Sequence, residues 1–266
     1  MPDAVFRDRA VFFPSRSVLV VADLHVGRAD ASEVQFPLGE RADLTERLEW
    51  LVEHFDPERV VVAGDVLHSF GHVSRRATET LADLRDLCRA ADARLVPVAG
   101  NHDGMLTTAW DGTVHDAYVL DGGRDDPVLI CHGHEEPAVG GRDDGTVDGV
   151  GGDDSDDRAD GGAGEGDDGD VAPALYVVGH DHPAITIEGQ KRPCFLSGEG
   201  VYRGADLLML PAFSRVASGV AVNGMRARDF QSPLVRDADA LRPIVWDSVA
   251  EEALRFPPLG RFRRLL

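Results

Sequence analysis

Residues 59–68 read RVVVAGDVLH, and this stretch decides the fold that the sequence predicts. Its first five residues form a nearly continuous apolar run, which is typical of a short strand buried on both faces. A glycine and an aspartate follow the run, so a polar side chain is expected directly after the end of the strand. Residues 39–55 before it and residues 78–91 after it repeat leucines at helical spacing, with charges between them. The stretch is therefore expected to be a strand between two amphipathic helices.

Two more strand-like runs flank this unit. Residues 18–22 (VLVVA) precede the first helical segment, and residues 94–99 (RLVPVA) follow the second. The alternation of strands and helices predicts an α/β fold with a layered sheet. Because active sites of such sheets lie beyond the carboxyl ends of the strands, the polar side chains that follow these runs are expected on one edge.

Further along the chain the rhythm changes, and short apolar runs are separated by glycine, aspartate and proline. Residues 127–131 (PVLIC) and residues 175–178 (LYVV) are expected to be core strands. Residues 184–188 and 194–196 are expected to pair with each other around residues 189–190. This half of the chain therefore predicts additional, partly antiparallel strands.

Side chains that can bind metal ions follow five of the apolar runs. They are Asp23 and His25, Asp65, Asn101 and His102, His132, and His180 and His182. Taken singly, each is ordinary, since a capping aspartate or a core histidine is the commoner explanation. Taken together, they supply carboxylate, imidazole and amide ligands on one edge of one sheet. That set suits two divalent transition ions such as manganese, iron or zinc, and it is too rich in nitrogen for magnesium or calcium alone.

The size and composition of the chain indicate a soluble globular protein. Its 266 residues, of which 43% are hydrophobic, are enough for one large domain or two small ones with a substantial core. No apolar run approaches the roughly 20 residues that span a bilayer, and the N-terminus lacks a signal pattern. Cys88, Cys131 and Cys194 are widely separated, which indicates neither a disulfide framework nor a CxxC zinc site. We therefore expect a reducing, cytoplasmic compartment and no membrane partner.

The net charge of -20 is the most unusual feature of the composition. Lys191 is the single lysine, so arginine supplies nearly all the positive charge. An acidic, lysine-poor chain is typical of a protein from a salt-loving organism, although an acidic mesophilic protein is the alternative. At face value the charge argues against nucleic-acid binding. At molar salt, however, the Debye length is about 3 Å. Arginines near the site would then affect nucleic-acid binding more than the net charge of the whole chain does.

Residues 140–170 form a low-complexity segment that is rich in glycine and aspartate. It contains eleven aspartates, one glutamate and two arginines, which is half of the net charge of the chain. Because it has almost nothing to bury, it is expected to be a disordered acidic insertion. A calcium-binding repeat is the alternative, but the segment lacks the regular ligand period that such a repeat needs.

The ordered blocks D-x-H, GDxxH, GNHD, H and GHxH, which span residues 18–183, resemble the calcineurin-like metallophosphoesterase superfamily. This resemblance implies an α/β (α+β) four-layer fold, an αββα sandwich of two mixed sheets flanked by helices. It also implies one domain over residues 1–266 that carries the insertion at 140–170. The GDVLH block and the later segments LLMLPAFS and AVNG are similar to archaeal phosphoesterases related to the nuclease subunit of double-strand-break repair.

The resemblance implies a role for each candidate residue. One ion would take Asp23, His25 and His182, the other would take Asn101, His132 and His180, and Asp65 would bridge both. His102 would protonate the leaving group or contact the phosphate, and Asp103 would orient it. Manganese is the expected metal, with iron and zinc as alternatives.

Three further residues are candidates near the substrate. Residues 132–134 read HGH, and if His132 is the metal ligand, His134 would support the ligands without binding the metal itself. His68 is expected either to contact substrate or only to form a hydrogen bond near the site. Arg28 follows the D-x-H block closely and is a candidate for holding a phosphate, although an ordinary surface arginine explains it equally well.

The expected activity is hydrolysis of a phosphodiester, and the narrower resemblance favours DNA or RNA ends. A phosphodiesterase for small molecules or cyclic nucleotides is the first alternative. It remains open because only about 80 residues follow the last block, and we expect them to finish the sheet and not to form a dedicated DNA-capping domain. A metal-binding scaffold that docks a repair partner is the second alternative. Against it, every ligand position of the pattern is filled.

Deletion of residues 141–170 is expected to leave metal-dependent hydrolysis nearly unchanged, because the segment has few apolar residues to contribute to a core. The comparison is between the full chain and the deletion variant, with circular dichroism as the control for folding. A folded deletion variant without activity would contradict the interpretation of this segment as an inert insertion.

Overall fold

A computed structural model of the chain describes residues 4–28, 39–68, 71–120, 126–138 and 172–264. The acidic insertion predicted at residues 140–170 lies outside the described residues. Within the described parts, two large β-sheets pack against each other, and a small third sheet lies outside the second one.

The first sheet contains the strands that the sequence placed around residues 59–63. Its elements in chain order are β1 (Val5–Arg7), β2 (Ala10–Phe13), β3 (Val18–Val21), α1 (Glu40–Phe55), β4 (Arg59–Ala63), α2 (Arg75–Ala90) and β5 (Arg94–Val98). The strand order is β1-β2-β3-β4-β5. β3, β4 and β5 are parallel, because a helix crosses over between each pair, whereas β1 and β2 add an antiparallel hairpin at the edge.

The second half of the chain builds the other two sheets. Its elements are α3 (Leu106–Ala109), β6 (Ala117–Leu120), β7 (Val128–Cys131), β8 (Leu175–Val178), β9 (Pro183–Ile187), β10 (Gln190–Pro193), β11 (Phe195–Tyr202), β12 (Ala205–Met209), β13 (Val220–Ala221), β14 (Arg242–Asp247), β15 (Glu252–Arg255) and α4 (Leu259–Phe262). The seven-stranded sheet has the order β15-β14-β11-β12-β8-β7-β6, and the three-stranded sheet has the order β10-β9-β13. β7, β8 and β12 are parallel neighbours, and the other pairs of the large sheet are antiparallel.

Three apolar clusters define the layers. The central one fills the space between the two large sheets, with Val20 and Val61 from the first and Ile130 and Val177 from the second. A second cluster packs α1 and α2 on the outer face of the first sheet. The third covers the outer face of the second sheet with the small sheet, irregular segments and α4. Two mixed sheets with flanking helices are therefore confirmed, and the long helices among the described residues lie on one side.

Two expectations from the sequence were wrong in detail. The predicted ligands do not follow strands of one sheet, because β3, β4 and β5 belong to the first sheet and β7 and β8 to the second. Residues 194–196 do not pair with residues 184–188. The polar segment β10 pairs with β9 instead, and Phe195 begins β11 in the large sheet. The residues of β10, QKRP, are polar, so no apolar run marked this strand in the sequence. The two-residue turn before it fixes its register against β9.

The three cysteines are buried and free. Burial raises the pKa of the Cys88 and Cys131 thiols to about 12, so neither is a ready thiolate. Across the described parts of the chain, no helix combines the length and the apolar composition needed to cross a bilayer.

A half-buried arginine on α1 connects the two sheets. Arg47 donates to the backbone carbonyl of Phe213 (2.7 Å), and its guanidinium lies 4.0 Å from the Phe213 ring. It also pairs with Asp8 and Asp43. Phe213 in turn donates its N–H to the carbonyl of Ala22 at the end of β3 (2.7 Å). Arg47 therefore holds the segment after β12 of the second sheet against the first sheet.

Arg47→Ala is expected to lower the free energy of unfolding by about 3 kcal/mol, because it leaves Asp8, Asp43 and a carbonyl without a shielded partner. Arg41→Ala on the same helix is the matched control. Its ion pairs with Glu79 and Asp83 are exposed, so its loss is expected to cost less than about 1 kcal/mol. Urea unfolding followed by circular dichroism measures both. Equal losses would contradict the structural role of Arg47.

Candidate metal centre

The ligand-type side chains at the five strand ends converge where the carboxyl ends of the two large sheets meet. The segments after β3 and β4 stay paired beyond the sheet, because His25 N–H donates to the carbonyl of Asp65 (2.9 Å). On the other side, Gly179 N–H donates to the carbonyl of His132 (3.0 Å). Asp23, His25, Asp65 and His132 are buried. A buried set of carboxylates and imidazoles is thus held by the backbone of both sheets.

One group of four side chains surrounds a single point. Asp23, His25, Asp65 and His182 each offer one ligand atom, and these atoms lie within 4.8 Å of one another. The Nε2 atoms of His25 and His182 are 3.1 Å apart, and His182 Nε2 is 3.2 Å from Asp23 Oδ1. Asp65 Oδ2 is 3.9 Å from His25 Nε2. Two carboxylates and two imidazoles therefore face a common centre.

A second group lies next to it. His132 Nε2 is 3.1 Å from His180 Nδ1 and 3.0 Å from the side-chain oxygen of Asn101. Asp65 Oδ1 is 3.4 Å from the same His132 nitrogen. Asp65 thus presents one oxygen to each group. The structure brings together all seven side chains that the sequence proposed as ligands.

The donor set fits divalent cations. Within each group two imidazole nitrogens approach to 3.1 Å, where a hydrogen bond needs one of them to be protonated, whereas a shared cation accepts both lone pairs. The remaining donors are carboxylate and amide oxygens, and four of the seven candidate ligands, Asp23, His25, Asp65 and His132, are buried. Such a nitrogen and oxygen set matches the preferences of manganese, iron and zinc. The residues present therefore fit the metal that the sequence predicted.

The backbone at the site is strained. Five non-glycine residues adopt the left-handed conformation, with φ of +55° at Asp23, +47° at His25, +48° at Asp65, +72° at His180 and +46° at His182. Each such residue costs on the order of 1 kcal/mol and persists only when its surroundings enforce it. These turns direct the side chains from the strand ends into the common centre.

Two glycines allow the strand ends to approach closely. A Cβ on Gly64, whose φ is +81°, would lie 2.2 Å from the ring of His132. A Cβ on Gly100 would lie 2.2 Å from the carboxylate of Asp65. The glycines of the GD and GN blocks are thus required by space that the ligand side chains occupy.

Asp103 holds two of the loops in place. Its carboxylate accepts the N–H groups of Leu67 (2.7 Å), Gly100 (2.8 Å) and Val66 (3.1 Å). Burial raises the pKa of Asp103 to about 6 although these bonds oppose the rise. The sequence predicted that Asp103 orients His102, and this role stays a prediction. In the structure the Asp103 carboxylate joins the loops after β4 and β5.

Asp181 is a site residue that sequence reasoning missed. It is buried between His180 and His182 in the chain, and its carboxylate accepts the N–H groups of Gln231 (2.8 Å) and Ser232 (3.0 Å). The sequence offered one signal for this residue. In an extended chain successive side chains point to opposite sides, so the middle residue of H-D-H is expected to face away from the two histidines. Asp181 therefore anchors the loop that carries both imidazoles.

Burial and mutual charge set the protonation of the centre. Burial lowers the pKa of His25 to about 3 and of His180 to about 4, so both imidazoles are neutral near pH 7. Burial, with the charge of Asp23, raises the pKa of Asp65 to about 8. Burial works to lower the pKa of His182, but the charge and hydrogen bond of Asp23 outweigh it and raise that pKa. The metal-free centre therefore holds protons that a cation would displace.

The remaining predicted residues lie around the rim. His102 Nε2 is 3.9 Å from Asp65 Oδ2, and the His102 ring stacks on that of His68 with centroids 5.2 Å apart. The charge of Arg28 contributes to lowering the pKa of both imidazoles, after burial. The His134 ring is 5.3 Å from that of His132 and 6.1 Å from that of His180. All four residues are therefore next to the candidate centre.

Comparisons with known proteins concern the family and the fold of the chain. A family model described as calcineurin-like phosphoesterase matches residues 16–215. The nuclease MPE of Pseudomonas putida is 23% identical, with a TM-score of 0.51 over 89% of this chain and 88% of that chain. The phosphoesterase Yfce of E. coli is 12% identical, with a TM-score of 0.41 over 91% of this chain and 98% of that chain. The likeness to the nuclease MPE concerns the fold alone, and the family model identifies that fold as the calcineurin-like one that the sequence predicted. No curated protein sequence matches significantly.

The stabilisation that manganese gives is expected to grow from about pH 5 to about pH 8. Ionisation of Asp65, whose pKa rises from 3.8 to about 8 on folding, destabilises the metal-free fold as the pH rises. A cation binds the ionised carboxylate, so it competes with the proton, and the apparent affinity approaches about a tenfold gain per pH unit for one proton released. His182 must also lose a proton before it can bind a cation, so its ionisation also makes the apparent affinity rise with pH.

The measurement is Tm with manganese and with a chelator at each pH. Asp65→Asn, which cannot ionise, is the matched control and is expected to weaken the pH dependence, leaving the part that comes from His182. A manganese-induced shift of Tm that is constant from about pH 5 to about pH 8 would contradict this account of the centre.

Proposed function

The chain belongs to the calcineurin-like phosphoesterase family, and we propose that it hydrolyses a phosphodiester through two divalent ions, preferably manganese. The observation that carries the proposal is the position of Asp65. Its two carboxylate oxygens face two separate groups of nitrogen and oxygen ligands, at 3.9 Å from His25 and 3.4 Å from His132. A carboxylate placed in this way suits a bridge between two cations, with iron and zinc as alternatives to manganese.

The ligands divide between the two ions as the distances group them. Asp23, His25 and His182 would hold one ion, and Asn101, His132 and His180 would hold the other. The grouping is supported by the two approaches of 3.1 Å between imidazole nitrogens, one within each set. Asp23 also accepts the N–H of His180 (3.2 Å), which links the two sets through the backbone.

Two ions bound there would orient the phosphate, activate a water and stabilise the charge of an in-line displacement. His102 would donate a proton to the leaving oxygen, since its ring is on the rim and its Nε2 is 3.9 Å from Asp65. Asp103 acts as a positioning residue, because it fixes the loop that carries His102. Arg28 and His68 would contact the phosphate, while His134 would support the ligands His132 and His180.

The substrate class that we propose is a nucleic-acid strand, attacked near an end. The support is the resemblance of the GDVLH block and the segments LLMLPAFS and AVNG to archaeal phosphoesterases of the repair-nuclease group. A small or cyclic diester is the competing class. A panel of labelled DNA and RNA ends and soluble diesters, assayed with manganese at molar and at low salt, decides between them. Absence of hydrolysis of every substrate, with metal bound, would favour the scaffold.

His102→Ala is expected to retain two metal ions per chain and to lower kcat by roughly a hundredfold or more, because it removes the proton donor and none of the ligands. Metal content by elemental analysis and steady-state kinetics measure the two effects separately. His54→Ala, at the far end of α1 beside Trp50, is the control that should leave both unchanged. A His102→Ala protein that loses metal would contradict the assignment of His102 as a proton donor.

A further inference from the structure

A basic cavity of about 150 Å³ adjoins the candidate metal centre. It shares a wall with the centre, because His182, whose Nε2 faces Asp23, also lines the cavity. Arg9, Lys191 and Arg215 line it as well. The other described residues of the lining are proline, alanine, glycine and serine, and none of them is acidic. A group bound at the metal centre would therefore have a cationic cavity beside it.

The cations of this cavity are held in place by the fold. Arg9 donates from one nitrogen to the carbonyls of Ala212 (2.9 Å) and Ser214 (2.7 Å), which leaves its other N–H groups for a ligand. Lys191 Nζ donates to the carbonyl of Gly219 (2.6 Å), and an ammonium has two more protons to donate. The cavity therefore has donors that are already oriented.

Positive charge exceeds negative charge at this place. Arg9, Arg47 and Arg215 face two carboxylates, Asp8 and Asp43, and Lys191 adds a further charge. Burial, with the charges of Arg47 and Arg215, lowers the pKa of Arg9 to about 10. In a chain with a net charge of -20, the single lysine thus lies on the wall of a locally cationic cavity. An anion bound there would relieve the repulsion between the cations.

We propose that this cavity binds a second phosphate of the substrate, the one next to the scissile phosphate along a nucleic-acid strand. This inference rests on the proposed function, because it assumes that the scissile phosphate lies on the metal centre. Arginine and lysine are the usual partners of phosphate oxygens, and Arg9 with its planar fork is suited to contact two of them. The cavity would make the protein prefer strands with two phosphates to diesters with one.

The kinetic test compares two matched substrates, a thymidine dinucleotide with one phosphodiester and the trinucleotide with two. In Lys191→Gln and in Arg215→Gln, KM for the trinucleotide is expected to rise roughly fivefold to tenfold with kcat unchanged, as one charge-assisted hydrogen bond is lost. The dinucleotide is expected to be unaffected. Lys191→Arg, which keeps the charge, should restore KM for the trinucleotide.

Arg192→Gln is the matched control. Arg192 is the neighbour of Lys191 on β10, carries the same charge and lies outside the lining of this cavity. It should leave KM for both substrates at the wild-type value. Equal effects of Lys191→Gln and Arg192→Gln, or an equal rise of KM for both substrates, would overturn the subsite. Tm and metal content of each variant exclude a loss of folding as the cause.

A binding titration tests the subsite without turnover. Affinity of the metal-free protein for a labelled single-stranded oligonucleotide is measured against salt concentration in the presence of a chelator. Each lost phosphate contact is expected to reduce the slope of log K against log salt by about 0.7, in Lys191→Gln but not in Arg192→Gln. If the wild-type protein hydrolyses no substrate, the proposed function is wrong, while this titration still decides whether the cavity binds a strand. Identical slopes for the two variants would overturn it.

Discussion

The site depends on keeping ionisable groups out of water at the point where two sheets meet. Asp65 is the residue at which this constraint is strongest. It is buried near a second carboxylate, Asp23, and its pKa is raised to about 8 mainly because burial penalises its charge. Such a group is costly to the metal-free fold and becomes favourable when cations replace its proton. Binding of cations at the candidate centre would therefore be coupled to the stability of the fold through this carboxylate.

The same constraint explains why the surrounding backbone is both strained and heavily bonded. Left-handed conformations at Asp23, His25, Asp65, His180 and His182 turn the ligands inward. Asp103 and Asp181 use their carboxylates to fix the loops that carry these turns, and neither is among the candidate metal ligands. The large apolar cluster between the sheets supplies the stability that makes this strain tolerable. Aspartates of the same motifs thus serve two different purposes.

Positive charge is scarce in this chain, and part of it is concentrated close to the site. Arg47 and Arg9 hold the segment after β12 against the end of β3, beside the candidate metal centre. Arg215 and Lys191 extend the cationic region into the adjoining cavity. At high salt, long-range attraction by the whole protein is screened within about 3 Å, so anion binding depends on contacts of this kind. Structural anchoring and the proposed recognition of a second phosphate use the same part of the fold.

The sequence by itself determined the main strands, the two long helices and the seven candidate ligands. Residues 59–63 and 175–178 form the strands at the predicted bounds, because continuous apolar runs bounded by glycine leave few alternatives. Spacing along the chain also marked each ligand, since every one follows such a run. Only the tertiary structure decided that the candidate ligands come from two sheets, how near they lie to Asp65, and that Lys191 of β10 and His182 line the same cavity. The physical reason is that a local pattern records which residues end a strand, whereas distances between strands depend on how two sheets pack.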